Sequence, residues 1–343
     1  MQNESGHNEQ VYQKVWVSDL KAGDKIQSVF QITRINLRDY DKGKFLALRL
    51  GDKTGKISAV LWSLAEEIFQ VVSEGDLVIV EGRVSTYQQE LQVKIYTIRK
   101  VADLSQYDLS DFLPVSPTPL EQLVEEFDAM IESVKDDDYK KLLQSFRNDE
   151  SLWPRFSLAP GAKRWHHPYL HGLLDHTLCV TKMCRQMAAF YPEIDSDLLI
   201  TGAVFHDCGK LDEYVYKTQI DFSTEGRLLG HLFQGSFIVE RLVDGIPGFP
   251  REKRMLLLHI IASHHGEVVR SPVLPMTMEA CLLHHVENMD AQMAAIRREM
   301  NAARKQNQTW TGYVKLMERA LYLGENGNPS DNGDNENYDD SRL

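Results

Sequence analysis

The chain has 343 residues, of which 43% are hydrophobic and 26% charged, and a formal net charge of −12. This is the make-up of a globular protein of about two domains, and the negative balance argues against a protein that coats nucleic acid by bulk electrostatics. No stretch is apolar for about eighteen residues, and the opening MQNESGHNEQ has neither the basic nor the apolar region of a secretory signal, so a cytoplasmic protein with no membrane partner is expected. Cys179, Cys184, Cys208 and Cys281 form no C-x-x-C pair and lie among apolar residues, which predicts buried free thiols.

Residues 12–104 read as short strands, IQSVFQITRI, KFLALRLGD, KISAVLW, LVIVEGRV and LQVKIYTIRKV, parted by turn signals at Asp41-Lys42-Gly43, Asp52-Lys53-Thr54-Gly55 and Glu74-Gly75-Asp76. A helical stretch, Ser63 to Val72, falls between the third and fourth strands. That order is the layout of a small all-β OB-fold barrel, which binds single strands with aromatic rings and a basic groove on its second and third strands. Alternation along KFLALRL turns Leu46, Leu48 and Leu50 inward and Phe45, Ala47 and Arg49 outward. Phe45, Arg49, Lys56, Trp62, Tyr87 and Lys94 are the candidate nucleic-acid contacts. The alternative is that Trp62 and Tyr87 only close the barrel and the module packs against the rest of the chain.

Residues 105–118 form a linker stiffened by Pro114 and Pro117. From 119 to 322 the pattern is helical; Leu120, Leu123, Val124, Phe127, Met130, Ile131 and Val134 make one stripe at the 3.6-residue period. An all-α domain is expected there. Residues 323–343 are acidic, rich in Gly and Asn, and too polar to bury anything, which predicts a disordered, solubilising tail.

The helical region carries His176, the pair His206-Asp207, Lys210, His231, His264 and Asp290. His176 lies near the start of LLDHTLCVTKMCRQMAAF; the pair ends DLLITGAVFHD; His231 opens GHLFQGSFIVERLV; His264 closes RMLLLHIIASHHG. Asp290 falls inside CLLHHVENMDAQM, where a carboxylate without a cation would be costly to bury. Each histidine alone reads equally as a cap or core residue. Together, the order His, His-Asp, His, His, Asp on separate helices is how a helical protein surrounds two divalent cations. Adjacent helical residues point about 100° apart, so one helix end can offer an imidazole to one ion and a bridging carboxylate to the second.

Mixed imidazole and carboxylate ligands suit Mn, Fe, Co, Ni or Zn better than Mg or Ca. The expected chemistry is phosphodiester hydrolysis by a metal-activated water, with Asp207 and Lys210 in the catalytic step. Lys210 would neutralise a phosphate oxygen or assist the leaving oxygen; an exposed lysine at a helix end is its alternative. His166 and His167, ahead of the first motif helix, either line a substrate entrance or occupy a surface loop.

The motifs GLLDHTL, FHDCGK, GH, SHHG and NMD resemble the HD superfamily of metal-dependent phosphohydrolases. With the barrel ahead of them, the chain resembles the YhaM-type 3′-5′ exoribonucleases over about residues 14–320. The resemblance implies one cation held by His176, His206, Asp207 and Asp290, and a second held by Asp207, His231 and His264, both most naturally manganese. It also implies removal of mononucleotides from the 3′ end of single-stranded RNA, with single-stranded DNA as a further substrate. Of the adjacent His264 and His265 we assign the first as ligand, while His284 and His285 match no motif position and are expected to be structural. Two other readings stay open: a phosphohydrolase of nucleotides or signalling nucleotides with a regulatory OB domain, and a non-catalytic single-strand-binding protein. A G-Y-P tripeptide, which would favour cyclic-dinucleotide hydrolysis, is absent after SHHG. Assembly as a homo-oligomer is left open.

Overall fold

The computed structural model describes residues 14–163, 165–216, 219–267 and 271–324. From residue 325 onward the tail expected to be disordered lies outside the described residues.

Strands β1 (Lys25–Tyr40), β2 (Gly43–Asp52), β3 (Gly55–Leu61), β4 (Leu77–Tyr87) and β5 (Glu90–Lys100) close into a barrel of order β1-β2-β3-β5-β4, with helix α1 (Ala65–Val71) between β3 and β4. Closure depends on the length of β1. Its first half, Lys25 to Gln31, pairs antiparallel with β4, and its second half pairs antiparallel with β2. A register shift between Ile32 and Arg34 bends the strand from one partner to the other. Inside, Leu46, Leu48 and Leu50 meet Phe30, Val80 and Val93, as the two-residue alternation requires. The segment predicted as a linker packs against the barrel: Phe112 joins Val29, Leu77, Ile79 and Val101 in a small cluster of its own. Those strand residues alternate with the barrel core, so the cluster lies on the barrel's outer surface.

Helices α2 (Leu120–Ser133), α3 (Asp137–Asn148), α4 (Trp153–Leu158), α5 (Gly172–Ala188), α6 (Ser196–Phe205), α7 (Lys210–Glu213), α8 (Thr224–Asp244), α9 (Arg251–Ser263) and α10 (Met278–Arg304) build the second domain. Helix α6 is its axis, because every residue from Leu198 to Phe205 is buried and none is charged. Helices α5, α9 and α10 pack around it. The Asp195 side chain accepts from the amides of Asp197 and Leu198 and fixes where α6 begins. Its other end delivers His206 and Asp207 into the interior.

A small two-stranded antiparallel sheet, β6 (Tyr214–Tyr216) with β7 (Ile220–Phe222), sits among the helices of this otherwise helical domain. Strands of three residues have too little alternation to be read from sequence. The cysteines also differ from expectation: Cys184 and Cys208 are buried and all four are free, but Cys179 is half-buried and Cys281 exposed. Cys281 is turned away from its buried helical neighbours Ala280 and Leu283. No helix among the described residues is long and apolar enough to cross a membrane.

Candidate metal centre and strand-binding face

Five helix ends or interiors converge on Asp207, which is 1% exposed. Its two oxygens face different histidines. Oδ2 lies 3.4 Å from His176 Nε2 and 3.3 Å from His206 Nε2, while Oδ1 lies 3.6 Å from His231 Nε2 and 3.7 Å from His264 Nε2. Asp290 reaches His176 from the other side, with Oδ2 at 2.7 Å from Nδ1. The predicted set is therefore gathered in one place, although Asp290 contacts His176 and His167 rather than Asp207.

The ring orientations are fixed by what the outer nitrogens touch. His206 donates from Nδ1 to the Ala203 carbonyl at 2.7 Å, and His264 donates from Nδ1 to the Ile261 carbonyl at 2.9 Å. His231 donates from Nδ1 to Glu213, at 3.0 Å from Oε1. Each ring thus turns a bare Nε2 inward, the arrangement of a metal-ligating imidazole held by an outer partner. Ring nitrogens also face one another, His176 Nε2 to His206 Nε2 at 3.2 Å and His231 Nε2 to His265 Nε2 at 3.0 Å. Lone pairs so close repel unless a proton or cation lies between them, and ligands about 2.1 Å from one cation come to about this spacing.

Two atoms at the centre, Asp207 Oδ1 and His264 Nε2, are buried with no hydrogen-bond partner. A carboxylate oxygen buried alone costs several kcal/mol or more, on the order expected of groups that await a cation. The local field agrees. Burial disfavours a charged His176, yet hydrogen bonds donated to Asp207 and Asp290 push its pKa up to about 9. Burial would also raise Asp207, but Lys210 and His206 outweigh it and hold the carboxyl well below the usual carboxylate range. Around the second oxygen, burial and the neighbouring imidazoles lower both His264 and His265, the latter to about 3, keeping both rings neutral. His231, His264 and His265 offer ligand atoms within 4.8 Å of one another, so both members of the His264-His265 pair face the centre.

Lys210 is buried rather than exposed, with Nζ 2.5 Å from Asp207 Oδ2 and 2.8 Å from the Gly161 carbonyl oxygen. Gly209 before it is required by a close approach: a Cβ there would stand 2.0 Å from the His231 carbonyl oxygen and 2.4 Å from the Gly235 nitrogen. His231 follows a break in α8 at Gly230, whose φ is 70°, and so opens the second part of that helix, as its sequence suggested. His284 donates to the His264 carbonyl at 2.9 Å, and His285 is exposed.

Three residues near the centre escaped or were undervalued by sequence reasoning. Glu213 carries no motif; only a carboxylate one turn beyond Lys210 hinted at it. His166 and His167 are not on a surface loop. His167 donates toward Asp290, with Nε2 3.0 Å from Oδ2, and His166 is 8% exposed with its ring 4.9 Å from that of His176.

On the barrel, strand register gathers a second set of residues. Across the outer face of β1-β2-β3-β5 one row reads Arg34, Arg49, Ser58, Gln92 and the next Asn36, Ala47, Val60, Lys94. Beyond them Arg38 pairs with Phe45, whose ring stacks on Trp62 at 4.6 Å, and Tyr40 meets the edge of Trp62 at 5.0 Å. Trp62 is 44% and Tyr87 59% exposed, so neither ring closes the barrel. Tyr87 stands apart at the β4–β5 hairpin tip. Lys56 lies at the other end of the face, lining a cleft of about 570 Å³ shared with Lys53, Lys163, Pro168 and Gln219. Tyr40, Arg34 and Arg38 were missed because only the pairing register places them beside Phe45 and Arg49.

Residues 15–101 match the family described as an OB-fold nucleic acid binding domain, and residues 173–292 match the HD domain family. The chain is 30% identical over 310 residues to the 3′-5′ exoribonuclease YhaM of Halalkalibacterium halodurans, covering 88% of this chain and 94% of that protein. It is 30% identical over 281 residues to the 3′-5′ exoribonuclease YhaM of Bacillus subtilis, covering 81% and 88% respectively. Among solved structures, a domain of replication protein A from Methanococcus maripaludis is 21% identical with a TM-score of 0.24, covering 26% of this chain and 96% of that domain. With both domains matched in order and the similarity running through nearly the whole of its relatives, the chain belongs to the YhaM family of 3′-5′ exoribonucleases.

Proposed function

We propose that this protein is a metal-dependent 3′-5′ exoribonuclease that hydrolyses single-stranded RNA to mononucleotides, with single-stranded DNA as a second substrate. The observation that carries this reading is the division of Asp207: one oxygen faces His176 and His206, the other faces His231 and His264 without a partner. A carboxylate so placed fits a bridge between two divalent cations. His176, His206 and Asp290 would complete one site, His231, His264 and His265 the other, and the donor set suits manganese. When bound, such a pair of cations makes a water nucleophilic at neutral pH and offsets charge on the phosphate.

The remaining groups belong to the protein alone. Lys210, held by Asp207 and the Gly161 carbonyl, keeps a cation beside the reacting phosphate. Glu213 holds the His231 ring with Nε2 inward. Phe45, Trp62 and Tyr40 offer stacking surface to bases, and Arg34, Arg38, Arg49 and Lys94 follow the backbone along one face. Lys56 carries that face to the cleft beside the helical domain.

Digestion of a 5′-labelled single-stranded RNA tests the reading. In manganese it yields a ladder that shortens from the 3′ end, and chelation with EDTA abolishes it. Internal cuts, or cleavage that persists after chelation, would contradict it.

A further inference from the structure

His166 has no role in the site described so far, and its surroundings give it one. Both of its ring nitrogens are buried and neither has a hydrogen-bond partner among the described residues. A neutral imidazole carries one N–H and one lone pair, and burying both unsatisfied is unfavourable unless a further group enters. The lone pair has a destination: His166, His176 and Asp207 each offer one ligand atom, all within 4.8 Å of one another.

The backbone is built to put the ring there. His167 adopts a left-handed φ of 46°, which a residue with a side chain takes only under constraint. The constraints are visible: Gly161 and Tyr169 both donate their amides to the His167 carbonyl, and a Cβ on Gly172 would stand 2.2 Å from that oxygen. Asp290, meanwhile, places Oδ2 between His167 Nε2 at 3.0 Å and His176 Nδ1 at 2.7 Å.

We infer that His166 is a further ligand of the cation on the His176 side of Asp207, added to His176, His206, Asp207 and Asp290. The inference rests on the two-cation reading above and adds to it a ligand that the H…HD…D motif does not contain.

Titration of the full-length apoprotein with manganese chloride, without RNA, tests it calorimetrically. Wild-type protein takes up two equivalents; His166→Asn loses affinity for one of them by about tenfold or more and leaves the other unchanged, which also reports an intact fold. Wild-type binding of both equivalents with no change in His166→Asn overturns the inference alone. Failure of the wild-type protein to bind manganese overturns the two-cation reading instead. Deuterium uptake at each imidazole Cε1, followed by mass spectrometry in wild-type protein, gives the same answer without a substitution: saturating manganese slows uptake at His166, and an unchanged rate there with slowing at His176 would contradict the assignment.

Discussion

The barrel and the helical domain keep their polar groups in opposite ways. On the barrel face the basic and aromatic residues are solvent-facing, with Arg49, Lys56, Trp62, Tyr87 and Lys94 all exposed. In the helical domain His176, His206, Asp207, Lys210 and His264 are at most 4% exposed. Exposed charges and rings act through many weak, screened and replaceable contacts, whereas buried ones are costly unless each is matched. The difference teaches where chemistry belongs. A strand can slide over the barrel face, but only a group that neutralises or bridges the buried cluster can stabilise it.

Substitutions separate the two regions, and the largest effect falls in the centre. Asp207→Ala removes the oxygens that face both histidine sets; hydrolysis of RNA falls by about 10³-fold or more while RNA affinity is retained. A parallel loss of affinity would break the division of labour. Glu213→Gln leaves His231 without its carboxylate, and manganese affinity by calorimetry falls by about 10–100-fold. Trp62→Ala removes the ring that Phe45 stacks upon, weakening RNA binding by about 1–3 kcal/mol, or about 5–150-fold, in a fluorescence-anisotropy titration. Smallest is Arg49→Ala, which lowers the slope of log affinity against log salt by about 0.7 and costs little at high salt. An unchanged slope would remove Arg49 from the strand's path.

The sequence made the barrel readable because inward leucines alternate strictly from Leu46 to Leu50 and each turn is marked by Gly or Asp. The central histidines were readable because each falls at a helix end or inside an apolar helix, where a polar residue needs a reason. His166 was harder to read, since an irregular loop has no period to say which side chain turns inward. Glu213 was hidden for a related reason: its partner, His231, lies beyond the pairing of β6 with β7 and the break at Gly230, neither of which has a pattern. Arg34 and Arg38 became part of the strand-binding face only when β1 was paired with β2.

The claim that cleavage belongs to the helical centre and strand retention to the barrel is tested most directly by comparing Trp62→Ala with wild-type protein on a dinucleotide and on a long single-stranded RNA, both in manganese. The account predicts wild-type turnover of the dinucleotide and a loss confined to the long substrate, appearing in KM. An equal loss on both substrates would contradict it.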